Sequence, residues 1–176
     1  TDIDEVGDAS HLTLFEMLGN FSFGDYFKKE ACEWSLDLMV NHLGFDLNRI
    51  YITIYQDDDE AEQVWLDLGV PPEKIYRFGD EDNWWGPAGA EGPCGPCSEL
   101  HYYRGALEDI PALDDPIRET VWGPNYHDDF LEVYNLVFTQ FYRDHEGNDT
   151  PLPNKNIDTG MGLERAAAVL QDVTTL

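Results

Sequence analysis

The sequence has few basic residues, with 10 Lys and Arg against 36 Asp and Glu, which gives a formal charge of −26. This composition excludes a protein held to nucleic acid by diffuse phosphate attraction, because such a protein needs a basic face. A local anion site remains possible. The acid excess, with only four lysines, also suits a salty cytoplasm, so part of the charge can concern solubility.

Long apolar runs and paired cysteines are also lacking. No stretch approaches the roughly 18 apolar residues of a membrane span, and the acidic start lacks the basic and apolar regions of a signal peptide. Three cysteines are an odd number and too few for a disulfide-stapled secreted fold. We therefore expect no membrane partner and a cytoplasmic location. With 42% hydrophobic residues, the 176-residue chain can form one folded domain.

Hydrophobic periodicity predicts alternating strands and helices over much of the chain. The strand 130–142 is apolar on both faces, which indicates a central, buried position. Asp25 is a candidate N-cap for the first helix, whose face carries Phe27, Ala31, Trp34 and Leu38, with Gly44 at its end. Strands are predicted over residues 11–18, 50–55, 75–78, 98–103 and 130–142.

Two further helices are predicted. The second helix carries Ala61, Val64, Trp65 and Leu68 on one face, and a closing helix runs to about Gln171.

Three segments between these elements read as irregular. The Gly/Pro-rich stretch 79–97 and the acidic, proline-punctuated stretch 104–129 are predicted as loops, and residues 144–150 as a turn. A loop as long as 104–129 is often functional or mobile in a compact domain. Periodicity alone does not decide between an α/β and an α+β fold.

The segment 158–165, Asp-Thr-Gly-Met-Gly-Leu-Glu-Arg, forms a strand-to-helix junction with chemistry-bearing residues. Its glycines allow tight packing or close approach of a ligand, and Arg165 can offer a fixed fork to a phosphate. Asp158, beside the glycines, is suited to hold an ammonium group. A helix start with a surface ion pair explains the same residues about equally well.

The segment Asp158 to Arg165 resembles the third signature motif of class II aminoacyl-tRNA synthetases, in the form typical of the alanyl-tRNA synthetase family. Three other blocks resemble that family in the same order. Residues 15–28 are similar to the second half of its motif 2, residues 92–99 to its central loop, and residues 133–141 to its alanine-pocket strand. The resemblance covers essentially the whole chain.

This resemblance implies an α+β fold, with a mostly antiparallel sheet flanked by helices in which strands 11–18, 130–142 and the strand into motif 3 are central. It implies an enzyme, a ligase that activates alanine with ATP to alanyl-adenylate and transfers it to tRNA(Ala). By similarity, Arg165 contacts the ATP phosphates as the catalytic residue. Met17 and Phe21 are expected to bind adenine, with Phe21 as the stacking ring or, alternatively, a core residue.

The alanine pocket is assigned by the same resemblance. Asp158 would bind the ammonium group, Gly160 would leave space, and Trp85, Asn135 and Val137 would form the walls and hydrogen bonds. The segment after Trp85 departs from the commoner form of the loop, so Trp84 is a competing candidate. A pocket of this kind discriminates poorly against serine and glycine, because small apolar differences give only about 1–3 kcal/mol.

The sequence offers two possible metal sites. Magnesium is expected with ATP, and Glu132 is a candidate ligand by position, although a solvated or paired carboxylate fits as well. The pair Cys94 and Cys97 could bind zinc, but only His101 lies nearby as a third ligand. Two inert thiols in a structural turn are therefore favoured over zinc. Cys32 is predicted to be a core residue.

The resemblance also indicates what lies outside these 176 residues. The motif 1 region and the motif 2 arginine should precede Asp2, and the tRNA-recognition and editing domains are not represented, so we expect a partial catalytic domain. By itself it should be inactive or weak. Two alternatives remain: a fragment that binds ATP and alanine without turnover, and a synthetase-like paralogue that charges another carrier.

The charge of the chain bears on its partners. Phosphate affinity would depend on Arg165, on Lys28 or Lys29 near the motif 2 block, and on magnesium. The fragment alone is expected to bind tRNA weakly. The sequence does not indicate which oligomeric state the protein has.

Overall fold

The computed structural model describes residues 3–8, 10–174 and 176. In chain order the strands and helices are β1 (Met17–Leu18), β2 (Phe21–Phe23), α1 (Lys28–Asp37), β3 (Ile50–Tyr55), α2 (Asp59–Asp67), β4 (Ile75–Phe78), α3 (Asp80–Asn83), β5 (Trp84–Trp85), β6 (Gly92–Tyr103), β7 (Phe130–Arg143), β8 (Asp149–Gly162) and α4 (Leu163–Leu170). Short 3-10 turns and one π turn, Leu38–His42, complete the regular structure of these residues.

The strands form one mixed, mostly antiparallel sheet. Its order is β1-β8-β7-β6-β3-β4, with β2 pairing β8 and β5 pairing β6. Among the described strands, β3 and β4 are the only parallel pair. The α+β prediction is therefore confirmed. The strand predicted over 130–142 is β7, which lies between β6 and β8 and is central and buried as expected.

The first predicted strand is wrong in length and position. Within residues 11–18 only Met17 and Leu18 pair, and they do so with β8 at one end of the sheet order rather than in its centre. Leu14 is 83% exposed and Phe15 is 49% exposed, so this apolar run does not enter the core. The run has strand-forming composition but few strand partners.

Helix α1 confirms the predicted helix with a different buried face. The N-cap is Phe27 rather than Asp25, and Trp34 is half exposed, where it packs against Tyr26 at 4.7 Å between ring centroids. The buried residues include Ala31 and Cys32, so the prediction that Cys32 is a core residue is confirmed. Gly44, with φ of +81°, follows the π turn.

The predicted strand-helix-strand unit at 50–78 is confirmed as β3, α2 and β4. Asp58 caps α2 by accepting a hydrogen bond from the backbone N–H of Ala61, while Ala61 and Trp65 are fully buried. The loop predicted over 104–129 is also irregular, apart from short 3-10 turns. Trp122 from this loop packs into a small aromatic cluster with Tyr51 and Tyr103.

Strand β6 begins earlier than the sequence indicates. The sequence predicts a loop over residues 92–97, because glycine and proline usually interrupt strands, yet Gly92 already pairs with Arg143 of β7. A register shift between Cys94 and Cys97 accommodates the irregular sequence. At Gly95 the backbones of β6 and β7 approach so closely that a Cβ would overlap the Phe138 carbonyl. The strand therefore needs glycine at this position.

The turn before β8 is shorter than predicted, because β8 begins at Asp149. The Asp144 carboxylate accepts hydrogen bonds from the backbone N–H groups of Glu146 and Asn148, both at 2.9 Å, which closes the turn. Strand β8 then runs into α4 as predicted. One hydrophobic cluster joins the helices to a single face of the sheet, through residues such as Cys32, Trp65, Leu136, Phe138 and Ala166. No helix among the described residues is long and apolar enough to cross a membrane.

Candidate functional site

A cavity of about 740 Å³ opens over the face of β6, β7 and β8 opposite α1 and α2, and its lining includes residues of α3 and α4. Strand register brings its side chains into two cross-strand rows. Glu99, Asn135 and Gly160 pair in one row, and Cys97, Val137 and Asp158 pair in the next. Residues two apart on a strand share a face, so both rows present their side chains to the same cavity.

The cavity brings together eight of the nine predicted site residues. They are Met17, Trp85, Glu132, Asn135, Val137, Asp158, Gly160 and Arg165. The ninth, Phe21, pairs with Asp158 across β2 and β8 but lines a neighbouring cavity of about 430 Å³. Trp85 and Asp158 line both cavities, so Phe21 lies beside the main cavity without forming part of its wall.

Asp158 has a carboxylate without a partner. Its side chain makes no hydrogen bond or ion pair with any residue that the structure describes, and partial burial raises the pKa of its carboxyl group. A desolvated, unpaired carboxylate is costly for the folded chain and is stabilised when a cation binds. Asp158 is therefore suited to receive a positively charged group.

Gly160 lines the cavity, and the Met17 side chain packs directly over it. A Cβ added at Gly160 would lie 2.7 Å from Sδ of Met17, which is closer than two such atoms can approach. Val137, one row away, is largely buried. Together these residues form an apolar part of the cavity wall next to Asp158.

Glu132 and Arg165 form an ion pair at the other side of the cavity. The Arg165 Nη1 donates to the Glu132 backbone carbonyl at 2.9 Å and to its Oε2 at 3.2 Å. Burial and the nearby Glu99 raise the pKa of Glu132, while His101 and Arg165 act in the opposite direction. Arg165 is the only Lys or Arg that lines the cavity in the described chain, against six acids: Glu81, Asp82, Glu99, Glu132, Asp158 and Glu164.

Both candidate tryptophans reach the main cavity, but their surroundings differ. Trp84 stacks on Phe141 with centroids 5.8 Å apart and lies 5.4 Å from the Arg143 guanidinium, so its ring is held from several sides. Trp85 is 41% exposed and contacts both cavities. Trp85 is thus the more accessible of the two for a ligand, and its role stays a prediction.

Cys94 and Cys97 are free, buried thiols on β6 rather than in a turn. Burial and Asp149 raise the pKa of Cys94, and burial and Glu99 raise that of Cys97 well above its usual range. Raised thiol pKa values oppose the thiolate form that zinc binding and redox chemistry require. Across residues 3–8, 10–174 and 176, no three His, Cys, Asp or Glu side chains are grouped to hold a metal ion.

One predicted phosphate contact does not fit its position. Lys28 is 3% exposed, and its Nζ lies 2.6 Å from Asp58 Oδ1 and 2.9 Å from Glu60 Oε2. Lys28 is the first residue of α1 and lies against the start of α2, where the two carboxylates neutralise it. Lys28 is therefore not available to a phosphate, whereas Lys29 is exposed.

Sequence reasoning did not select three residues that contribute to the site. Phe15 lines the main cavity beside Met17, and Glu164 accepts hydrogen bonds from the Glu16 backbone N–H at 3.0 and 3.1 Å, which fixes the segment carrying both side chains. Glu99 is buried below Asn135. The strand sequence gives no signal that Glu99 is buried, because Glu99 alternates with the apolar Leu100 as a solvent-facing residue would.

Comparison with known proteins gives a consistent result. The family model for tRNA synthetases class II (A) matches residues 1–176. The alanine–tRNA ligase of Leptospira interrogans serovar Lai is 53% identical over 178 residues, which cover 100% of this chain and 18% of the relative. Those of Petrotoga mobilis and Rubrobacter xylanophilus are 49% and 50% identical, over 97% of this chain and 19% and 20% of their own lengths.

The chain thus spans about a fifth of the length of the curated relatives it matches. The match covers every block on which the motif resemblance depended, and the sheet has the antiparallel character expected of that fold. The chain belongs to the class II tRNA synthetase family.

Proposed function

We propose that this chain is the amino-acid-binding part of an alanine–tRNA ligase, which activates alanine with ATP and transfers it to tRNA(Ala). In this proposal it represents the catalytic domain from the second half of motif 2 through motif 3 and acts in the cytoplasm. The observation that carries the proposal is the Asp158 carboxylate, which has no partner among the described residues and lines the cavity together with the apolar side chains of Val137 and Met17.

The cavity offers alanine three kinds of contact. Asp158 receives the ammonium group as an ion pair, which is stronger than in water because the carboxylate is partly desolvated. Val137 and Met17 enclose the methyl group, and the absence of a side chain at Gly160 lets Met17 lie close to the sheet. Trp85 closes the side that opens to the second cavity.

Arg165 is the residue that we assign to the ATP phosphates. Its Nη1 donates to Glu132 and its Nη2 donates to the Ser10 carbonyl at 3.5 Å, so a phosphate would be contacted by Nε or by the second N–H of Nη2. Met17 and Phe21 remain our candidates for the adenine ring. Phe15, on the wall of the main cavity, is a further candidate.

Magnesium fits the donor set at Glu132, because one Glu132 oxygen pairs with Arg165 and the other has no partner among the described residues. Mg²⁺ is commonly held by one or two carboxylates together with substrate phosphates. When bound, the ion would offset the charge on the phosphates.

The proposed reaction is attack of the alanine carboxylate on the α-phosphate of ATP, with loss of pyrophosphate. This chain contributes mainly by positioning. Asp158 and the apolar side chains beside it hold the amino acid by its ammonium and methyl groups, and Arg165 lines the same cavity to receive the phosphates. Positioning and charge stabilisation are the main catalytic terms in phosphoryl-type transfers.

The proposal is tested by placing residues 1–176 in the corresponding segment of the L. interrogans alanine–tRNA ligase. We expect alanine-dependent exchange of pyrophosphate into ATP by this chimera. Asp158→Asn should reduce kcat/KM for alanine by more than about a hundredfold, because a charged hydrogen bond is worth about 1.5–3 kcal/mol and an ion pair adds to it. The matched control Asp128→Asn makes the same charge change on an exposed loop and should have no effect.

The two alternatives give different results. Binding of an alanyl-adenylate analogue to the 176-residue chain, without exchange by that chain alone, would identify a binding fragment. A folded chimera that prefers another amino acid, or that activates alanine but does not charge tRNA(Ala), would contradict the proposal.

We also propose that the isolated chain binds tRNA(Ala) only weakly, because its charge of −26 repels the phosphate backbone. A filter-binding titration at about 150 mM salt should give no complex below micromolar concentrations, since non-specific binding constants at this ionic strength are typically about 10⁻⁴–10⁻⁶ M. A nanomolar complex would contradict this.

A further inference from the structure

The Glu99 carboxylate lies beside Asn135 in the same cross-strand row, and it is buried. Its Oε1 accepts a hydrogen bond from Nδ2 of Asn135 at 3.1 Å. Its Oε2 accepts one from Oγ1 of Thr53 at 3.0 Å and lies 3.0 Å from Nε2 of His101. Both oxygens therefore have fixed partners, and Glu99 acts on the cavity through Asn135.

The contact with Glu99 decides which way the Asn135 amide points. An amide has one donating and one accepting end, whereas an ionised carboxylate only accepts. Glu99 therefore takes the NH₂ end. The Oδ1 of Asn135 is left buried and without a hydrogen-bond partner in the described part of the chain. An unpaired buried acceptor costs free energy unless a ligand supplies a donor.

Glu99 is itself held in place from behind. Thr53, which donates to Glu99, receives a hydrogen bond from Nδ2 of Asn83 at 2.9 Å, and Asn83 is fully buried. Thr53 also pairs with Glu99 in the register of β3 and β6. The chain of contacts from Asn83 to Asn135 thus runs across three strands and leaves little freedom for the Asn135 amide to rotate.

We propose that Glu99 is a positioning residue for amino-acid recognition, which keeps the amide oxygen of Asn135 available for the ammonium group that Asp158 binds. This inference rests on the proposed function. Asn135 and Asp158 are diagonal neighbours on β7 and β8, a relation that separates Cα atoms by about 7–8 Å. One ammonium group between them can donate to both side chains. The pair selects a ligand with a protonated amino group.

The test compares two probes that differ only in that amino group. They are 5′-O-(N-alanylsulfamoyl)adenosine and its propionyl counterpart, each titrated by calorimetry into the 176-residue chain and into the chimera. In the wild type we expect the alanyl probe to bind more tightly. In Glu99→Gln the amide of Asn135 can turn over. The preference, measured as the ratio of the dissociation constants of the propionyl and alanyl probes, should then fall about tenfold or more, as expected for a lost hydrogen bond to a charged group.

The matched control is Ser98→Ala. Ser98 neighbours Glu99 on β6 and is fully buried, and it donates to the Thr53 carbonyl at 2.8 Å and accepts from Trp65 Nε1 at 2.9 Å. Its loss should lower the melting temperature without changing the preference for the alanyl probe. If Glu99→Gln acted only on the stability of the fold, it too would lower the melting temperature and leave the preference for the alanyl probe unchanged.

A double-mutant cycle with Asn135→Ala separates positioning from other effects. In that background Glu99→Gln should no longer change the preference, because no amide remains to be oriented. If Glu99→Gln does not fold, Glu99→Asp, which withdraws the carboxylate from Asn135, should show the same loss.

An unchanged preference in a folded Glu99 variant, or an equal loss in the Asn135→Ala background, would overturn this inference alone. Absence of any preference in the wild type would instead overturn the proposed function.

Discussion

The two faces of strands β6, β7 and β8 differ in almost every property that matters for folding. On the helix-covered face, Leu100, Leu136 and Ile157 are at most 2% exposed and apolar. On the cavity face, Asn135 has an unpartnered amide oxygen and Asp158 a carboxylate without a partner in the described chain. Adjacent residues on one strand therefore differ in role: one stabilises the sheet by apolar burial, and the next has polar groups that a ligand can satisfy.

The largest expected effect comes from the helix-covered face. Phe138→Ala removes a fully buried ring that packs against Phe27 and Lys28, so the free energy of unfolding should fall by about 3–5 kcal/mol. Urea unfolding followed by circular dichroism measures this. Binding of the alanyl probe to the folded protein should be unchanged.

The control for Phe138→Ala is Phe23→Ala, which removes the same ring at a position that is 89% exposed. Its cost should be below about 0.5 kcal/mol. A loss of affinity for the alanyl probe in Phe138→Ala would show that the two faces are not independent.

An intermediate effect is expected from Gly160→Ala on the cavity face. The added methyl group displaces the flexible Met17 side chain into the pocket, so affinity for the alanyl probe should fall about tenfold while stability changes by less than about 1 kcal/mol. The matched control is Gly147→Ala, which should lower stability and leave affinity for the alanyl probe unchanged. Gly147 has a φ of +86° and open surroundings, so an added methyl group should cost about 1–2 kcal/mol of stability through backbone strain alone.

The smallest effect concerns Asp158 and pH. Burial raises the pKa of Asp158 in the folded chain, so its ionised form destabilises the native state at neutral pH. Asp158→Asn should therefore raise the melting temperature at pH 7, by no more than about 2–4 °C. The difference should disappear as the pH falls below the unfolded-state pKa of about 3.9, where the carboxyl is protonated in both states.

Thermal unfolding between pH 3.5 and 7.5 measures this difference, with Asp128→Asn as the exposed control. A melting temperature that falls in Asp158→Asn would indicate that the carboxylate has a stabilising partner.

The elements that sequence predicted well have local signals. Strand β3 is β-branched and aromatic throughout, and α2 carries its own cap at Asp58, so neither depends on distant contacts. Strand β6 is the opposite case. Its first half, from Gly92, is held as a strand by pairing with β7 and by the close approach at Gly95, which composition does not reveal.

The candidate site divides in a similar way. The motif resemblance placed Asp158, Gly160, Asn135 and Val137 together, and the register of β7 and β8 brings them to one cavity. It did not indicate that Phe21 lines a different cavity, because that depends on the short segment between β1 and β2. Glu99 was missed since nothing in a single strand indicates which buried carboxylate orients a neighbour.

The burial of Lys28 changes how the molecule appears to its surroundings. Of four lysines in the chain, one is enclosed by Asp58, Glu60 and aromatic rings, with only 3% of it exposed. It therefore neutralises neighbouring carboxylates and does not offset the charge of the outer surface, where acids outnumber the remaining Lys and Arg several-fold and attract an atmosphere of small cations. Dissolved salt thins the mutual repulsion among these acids, so ionic strength acts on this chain as a stabilising agent that its own side chains do not supply.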